Sequence, residues 1–198
     1  RDAEGRLDSP LPRLAGPHQP MNAALAFAML RHQQAVSVSE AALKAAPLWA
    51  TWPARLQRLT QGPLVDRLGG EGRAIWLDGG HNPAAGEMLG KFFDPARLGE
   101  TRLTLLTGML ANKDIAGFLA PLQGRIAHIH SVPVAGHDHH SHAEFAALAA
   151  QWGVAHSAHE DIASATSAIG SEPSGPLLIA GSLYLAGEVL RLNEQYPD

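Results

Sequence analysis

The chain has 198 residues and a formal charge of −4, from 15 Lys and Arg against 19 Asp and Glu, a balance that speaks against nucleic-acid and anionic-membrane partners. Its 45% hydrophobic content belongs to a chain that buries a core, and its lack of cysteine excludes disulfides, thiolate metal sites and Cys nucleophiles. No apolar run approaches the ~18 residues of a membrane-spanning helix.

The charged start, Arg1-Asp2-Ala3-Glu4-Gly5-Arg6, is unlike a signal peptide, and the chain is expected to be cytoplasmic. It begins without Met, which fits a fragment of a longer protein. Pro10, Pro12, Pro17 and Pro20 make residues 1–20 an extended connection. The Ala-rich run from Asn22 to about Gln34 predicts a helix. A second helix is predicted from Val38 to Ala46, with Ser39 as cap and Pro47 just past its end. Trp49 to Pro53 reads as a linker. Two helices alone make a poor core, so this block is expected to pack on something further.

From about residue 54 apolar runs of strand length alternate with helical patterns. Strands are predicted over 74–80, 103–110, 125–132, 154–158 and 176–182. Helices are predicted over 84–93, 114–122, 142–151, 161–169 and from 183 to about Asn193. Arg55–Leu59 is a weaker candidate for one more strand. Non-alternating apolar strands separated by helices indicate a parallel sheet covered on both faces. The predicted fold is α/β: a Rossmann-like, mostly parallel sheet with helices on both faces, preceded by a short helical segment.

Ligands of such sheets bind beyond the carboxyl ends of the strands. Three strand ends here carry polar residues. Asp78-Gly79-Gly80-His81-Asn82-Pro83 offers a carboxylate for ribose hydroxyls or a cation, glycines that permit close backbone approach, and a helix N-terminus that favours an anion. Gly108 to Asp114 places Lys113 beside a helix start, a suitable phosphate neighbour. Gly181-Ser182 opens the last helix. Each also has a plainer reading: Asp78, Asn82 and Asp114 as helix N-caps, Lys113 as a solvated charge, Gly181-Ser182 as a turn plus cap.

Six histidines at 128, 130, 137, 139, 140 and 142 form a fourth candidate, with Asp138 among them. His128 and His130 alternate along a strand and share one face, a spacing open to a metal. The loop His137-Asp138-His139-His140-Ser141-His142 has no fixed ligand spacing and reads as surface prone to adventitious metal.

Trp76-Leu77-Asp78-Gly79-Gly80-His81-Asn82-Pro83-Ala84-Ala85 resembles the D-G-A-H-N-P-A-A signature of folylpolyglutamate synthases and bifunctional dihydrofolate synthases, ATP-dependent ligases of the Mur-ligase superfamily. Other segments agree in the family's order. His18-Gln19 with Asn22-Ala23-Ala24 resembles H-Q-x-x-N-A. Trp52 to Leu56 resembles the linker W-P-G-R-[LF], with Ala54 where Gly is usual. Gly108 to Ile115 resembles G-M-x-x-D-K-D-I, with Asn112 where Asp is common, and Gly181 to Leu185 resembles G-S-L-Y-L.

The resemblance implies that ATP phosphorylates the carboxylate of dihydropteroate or a reduced folate, and that the amine of L-glutamate then attacks the acyl phosphate. It implies ATP contacts from Asn22, Arg55 and Asp78. His81, Lys113 and Ser182 would line the glutamate side, with His81 a possible catalytic group. Residues 1–50 would be the tail of a central ATPase domain with its linker, and 51–198 the glutamate-binding domain. The sequence contains no G-x-x-G-K-[ST] phosphate loop. That loop, the Mg²⁺ ligands and the rest of the ATPase domain would lie upstream of Arg1, so this chain alone is expected not to hydrolyse ATP. The alternative is a stand-alone Rossmann-type module that binds a nucleotide or amino acid without catalysis.

Overall fold

The computed structural model describes residues 5–173 and 175–196, in two compact units, Arg1–Pro53 and Ala54–Asp198. The first unit holds α1 (Gln19–His32) and α2 (Glu40–Trp49). Helix α1 starts three residues before the predicted Asn22, because Pro20 occupies its first turn, where a missing N–H costs nothing. Ser39 caps α2, its Oγ accepting from the Ala42 N–H at 3.2 Å. The predicted stop before Pro47 is corrected: α2 runs through it to Trp49, and Pro47 is buried. In the last turn a proline forfeits only the bond to the carbonyl of Leu43, and the helix closes beyond it with Ala50 N–H donating to Ala46. Of the two helices only Gln19, Leu43 and Pro47 are buried, while Met21, Leu25, Met29 and Trp49 are exposed.

The second unit is a six-stranded sheet in the order β1-β2-β6-β3-β4-β5. Its strands are β1 (Gln57–Leu59), β2 (Ile75–Asp78), β3 (Leu103–Thr107), β4 (Ile126–Ser131), β5 (Ala155–Ala158) and β6 (Leu177–Ala180). All pairings are parallel except β1 with β2, so the weakest predicted strand is the antiparallel edge. Every residue of β3 and β6 is buried, which explains why these runs show no alternation.

The helices are α3 (Pro63–Arg67), α4 (Pro83–Phe92), α5 (Pro95–Leu98), α6 (Ile115–Leu119), α7 (His142–Trp152), α8 (Ile162–Gly170) and α9 (Leu183–Leu192). Leu64, Val65 and Leu68 join Ile162, Ala165, Ile169 and Leu185, Val189 in the core on one face of the sheet. Right-handed crossovers β2-α4-β3, β3-α6-β4 and β4-α7-β5 put their helices on the other face. Here the Phe92 and Phe93 rings pack edge-on against Trp76 at 4.9 and 6.2 Å. Sequence reading missed α3 and α5. Both begin with proline, which reads as a loop signal but is at home at a first helical position.

The strand order places the loops after β2, β6 and β3 side by side on the carboxyl edge. Helix α9 leaves this edge towards one face, and α4 and α6 leave towards the other. This crevice is where such sheets hold ligands.

Candidate functional site

The Asp78 side chain, buried at the end of β2, serves the loops around it. Its Oδ1 accepts from the Gly80 N–H at 2.7 Å and its Oδ2 from the Leu56 N–H at 2.8 Å. A Cβ on Gly80 would lie 2.7 Å from Oδ1 and 2.8 Å from the Ala85 Cβ, so the turn back onto the carboxylate needs glycine. Gly79 N–H donates to the Ala54 carbonyl at 2.8 Å, and Ala54 N–H to Gln57 Oε1 at 2.9 Å. Arg55 is therefore held between two fastened neighbours. Both are in the left-handed region, Ala54 at φ 54° and Leu56 at φ 44°, a conformation non-glycine residues enter at a cost. Arg55 itself is half-buried, and its guanidinium makes no hydrogen bond or ion pair with the described residues.

A pocket of about 210 Å³ lies at the crevice, lined by His81, Leu110, Lys113 and Gly181 to Tyr184. It brings His81, Lys113 and Ser182 together from three loops. His81 Nδ1 lies 3.0 Å from the Gly79 carbonyl, which can only accept, so the proton is assigned to Nδ1 and the Nε2 lone pair is left for another partner. Buried Ser182 caps α9, its Oγ accepting from the Tyr184 N–H at 3.1 Å. Gly181 precedes it at φ 124°, packed so closely that a Cβ would meet Thr107 Oγ1 at 2.6 Å and Met109 Cγ at 2.8 Å. The cap readings hold for Asn82 and Asp114 as well, which accept from Ala85 N–H at 2.9 Å and Gly117 N–H at 2.8 Å.

The histidine-rich loop does more than decorate the surface. Ala111 N–H donates to the Asp138 carbonyl at 3.0 Å, and His140 N–H to the Met109 carbonyl at 2.9 Å. The His140 ring spans two acceptors, the Lys113 carbonyl at 2.7 Å from Nε2 and Glu144 Oε1 at 2.8 Å from Nδ1. Both nitrogens must donate, which makes the ring an imidazolium. Burial pulls the other way, but the two hydrogen bonds and the Glu144 charge hold His140 above its ordinary value. The bond from His140 first, then those from Ser141, push Glu144 down to about 2. His137 lies over Tyr184 with ring centres 3.8 Å apart. The loop thus pins the strand-end segment that carries Lys113 and backs one wall of the pocket. The one legible signal was the four-residue spacing of His140 and Glu144.

Asn22 sits in the first turn of α1, exposed, its Nδ2 donating to Gln19 Oε1 at 3.2 Å. Gln19 Nε2 in turn lies 3.1 Å from His18 Nε2, so the three residues of H-Q-x-x-N form one hydrogen-bonded chain.

The fold and the pocket together define a doubly wound α/β domain with a ligand crevice at the carboxyl edge of its sheet, and its relatives mark it as a Mur-ligase-type C-terminal domain. More narrowly, the chain belongs to the family described as dihydrofolate synthetase, C-terminal domain, which matches residues 64–192. It is 28% identical over 192 residues to the folylpolyglutamate synthase of Lacticaseibacillus casei, covering 95% of this chain and 41% of that protein. It is 36% identical over 137 residues to the dihydrofolate synthase/folylpolyglutamate synthase of Escherichia coli K12, covering 68% of this chain and 28% of that one. Among solved structures, E. coli FolC in complex with DHPP and ADP is similar at a TM-score of 0.77 and 28% identity, over 98% of this chain and 43% of that chain. The Yersinia pestis enzyme complexed with AMPPNP and Mn ion is similar at 0.71 and 25%, over 96% of this chain and 42% of that chain. The chain thus matches between 28% and 43% of the length of these relatives, well under half of each.

Proposed function

We propose that the chain is the glutamate-side domain of a cytoplasmic ATP-dependent ligase that adds L-glutamate to dihydropteroate, a reduced folate or both. ATP transfers its terminal phosphoryl group to the acceptor's carboxylate, releasing ADP. The amine of glutamate attacks the acyl phosphate, an amide forms, and phosphate leaves. Residues 1–50 serve as the tail of the ATPase domain, where Asn22 faces the adenine side of ATP.

The observation that carries this reading is the convergence of His81, Lys113 and Ser182 on one pocket at the carboxyl edge. The Lys113 ammonium and the N-terminus of α9 attract glutamate carboxylates. The free Nε2 of His81 accepts a proton from the incoming ammonium, turning it into a nucleophile. Arg55, offered on its fastened turn, stabilises charge on the phosphates during transfer. Asp78 keeps that turn in place and so shapes the ATP side.

The reaction's Mg²⁺ calls for oxygen ligands. Among the described residues the cluster with metal-binding spacing is His128, His130 and Glu172, which does not line the pocket and offers two imidazoles. Mg²⁺ is therefore assigned to the ATPase domain, and this chain alone is inactive towards ATP.

The test reads the natural reading frame upstream of the Arg1 codon, then assays the encoded protein for glutamate ligation with dihydropteroate and a reduced folate in competition. A phosphate-loop motif upstream and glutamate-dependent ADP release are the expected results. A frame that opens at Arg1 would replace the ligase with a stand-alone binding module.

A further inference from the structure

Strand β4 carries a second polar cluster that the pocket does not use. His128 and His130 share one sheet face, and Glu172 reaches the same place from the turn after α8. His128 Nδ1 and His130 Nε2 each lie 3.1 Å from Glu172 Oε1, and the three atoms are within 4.8 Å of one another. His130 is 1% exposed, and its Nε2 makes no aligned hydrogen bond among the described residues despite that short distance.

The far side of each ring is already engaged. His128 Nε2 lies 2.9 Å from Ser157 Oγ, and His130 Nδ1 lies 2.9 Å from His159 Nε2. Metal-bound imidazoles need this arrangement, in which the outer nitrogen carries the proton and the inner lone pair is aimed at the ion. Buried Arg73 donates from Nη2 to the Glu172 and Pro173 carbonyls at 3.0 Å each, fixing the turn that presents the carboxylate. Its positive charge disfavours a cation nearby, so the anionic Glu172 is indispensable. An ion bound at ~2.0–2.2 Å from imidazole nitrogen and carboxylate oxygen, in tetrahedral geometry, spaces its ligand atoms about 3.3–3.6 Å apart. The two separations to Glu172 Oε1, 3.1 Å each, are close to that, and the two ring nitrogens lie within 4.8 Å of each other. The side chains of His128 and Glu172 are 22% and 27% exposed, leaving a route for the ion and a fourth position for water.

We propose that His128, His130 and Glu172 form a binding site for a borderline divalent metal ion of the zinc class. Two imidazoles and one carboxylate select zinc, cobalt or nickel over magnesium. The ion ties the turn before β6 to β4.

The test titrates zinc into the chelator-stripped full chain by calorimetry and records cobalt absorbance in parallel. A His137→Ala/His139→Ala variant removes adventitious sites in the exposed loop. The expected result is one zinc equivalent with a tetrahedral cobalt spectrum, kept by the loop variant and weakened at least tenfold by His128→Ala and by Glu172→Gln. Magnesium should not compete. Circular dichroism checks folding, and Glu172→Gln decides the matter if His128→Ala misfolds. Zinc binding that disappears with the loop variant, or that stays within threefold in Glu172→Gln, overturns the site.

Discussion

The Asp78 carboxylate accepts the Leu56 N–H at 2.8 Å across 22 residues of chain, joining the end of β2 to the turn that displays Arg55. One oxygen fastens this turn while the other fastens the Gly80 loop that leads to His81. A single buried side chain thus sets the starting points of both arms of the site.

Asp78→Asn leaves one oxygen to serve two N–H groups and turns an amide NH₂ towards the other. A buried donor left without an acceptor costs about 1–3 kcal/mol. Urea unfolding of the variant should show a loss in that range, and amide exchange at Leu56 and Gly80 should accelerate. A stability within ~0.5 kcal/mol of the parent would remove Asp78 from its fastening role.

Ala54 offers a sharper comparison. Its left-handed φ of 54° costs an alanine about 1–2 kcal/mol, which glycine escapes. Glycine also gives up ~0.5–1 kcal/mol of backbone entropy and the packing of a buried methyl worth ~0.8 kcal/mol. Ala54→Gly should therefore be neutral within about 1 kcal/mol, although the linker motif that Trp52 to Leu56 resembles has glycine at this position. Ala54→Val should destabilise by ~2 kcal/mol or more, because a β-branched residue fits this region worst. Chemical denaturation of the two variants side by side checks both figures.

The His140–Glu144 pair makes the Lys113 segment pH-dependent. Glu144 is lowered from 4.5 to about 2, so its contribution is complete above about 4.5 and lost as pH falls through about 2. His140 is raised above 6.5, so its contribution is complete below about 6.5 and lost as pH rises through that higher folded value. Both partners contribute fully between about pH 4.5 and 6.5. Protection factors of the amides in residues 110–114, with the intrinsic pH dependence of exchange divided out, should be highest in that window, and Glu144→Gln should flatten the profile. A profile unaltered by that substitution would show that the pair does not control the segment.

Arg55→Ala, in the intact ligase, should lower turnover by about 10²-fold while leaving thermal unfolding unchanged, since its guanidinium makes no hydrogen bond or ion pair among the described residues. Unchanged turnover would remove it from the mechanism.

Much of this was readable in the chain. Unbroken apolar runs such as Leu103–Thr107 and Leu177–Ala180 announce strands buried on both faces, and their alternation with helical patterns fixes a parallel sheet. The pocket loops stood out because polar residues follow those runs directly. Other features left no local trace. Pro47 was read as a stop because the tolerance of a last helical turn is not written in composition. The reach of Asp78 to Leu56 and of His140 to Lys113 depends on which loops the topology makes neighbours. Glu172 could not be grouped with His128 and His130 for the same reason, since 42 residues separate it from the nearer histidine.

The sheet order has one more outcome. Its two open borders are β1, three residues long, and β5, four residues long with His156 in its middle. Long, flat, apolar borders invite foreign chains to add a strand, and these are too brief and too polar to serve as templates. The apolar central strands, which would polymerise readily if uncovered, are flanked on both sides. Concentrated preparations of this unit should therefore resist cross-β fibre formation for as long as β1 and β5 stay in place.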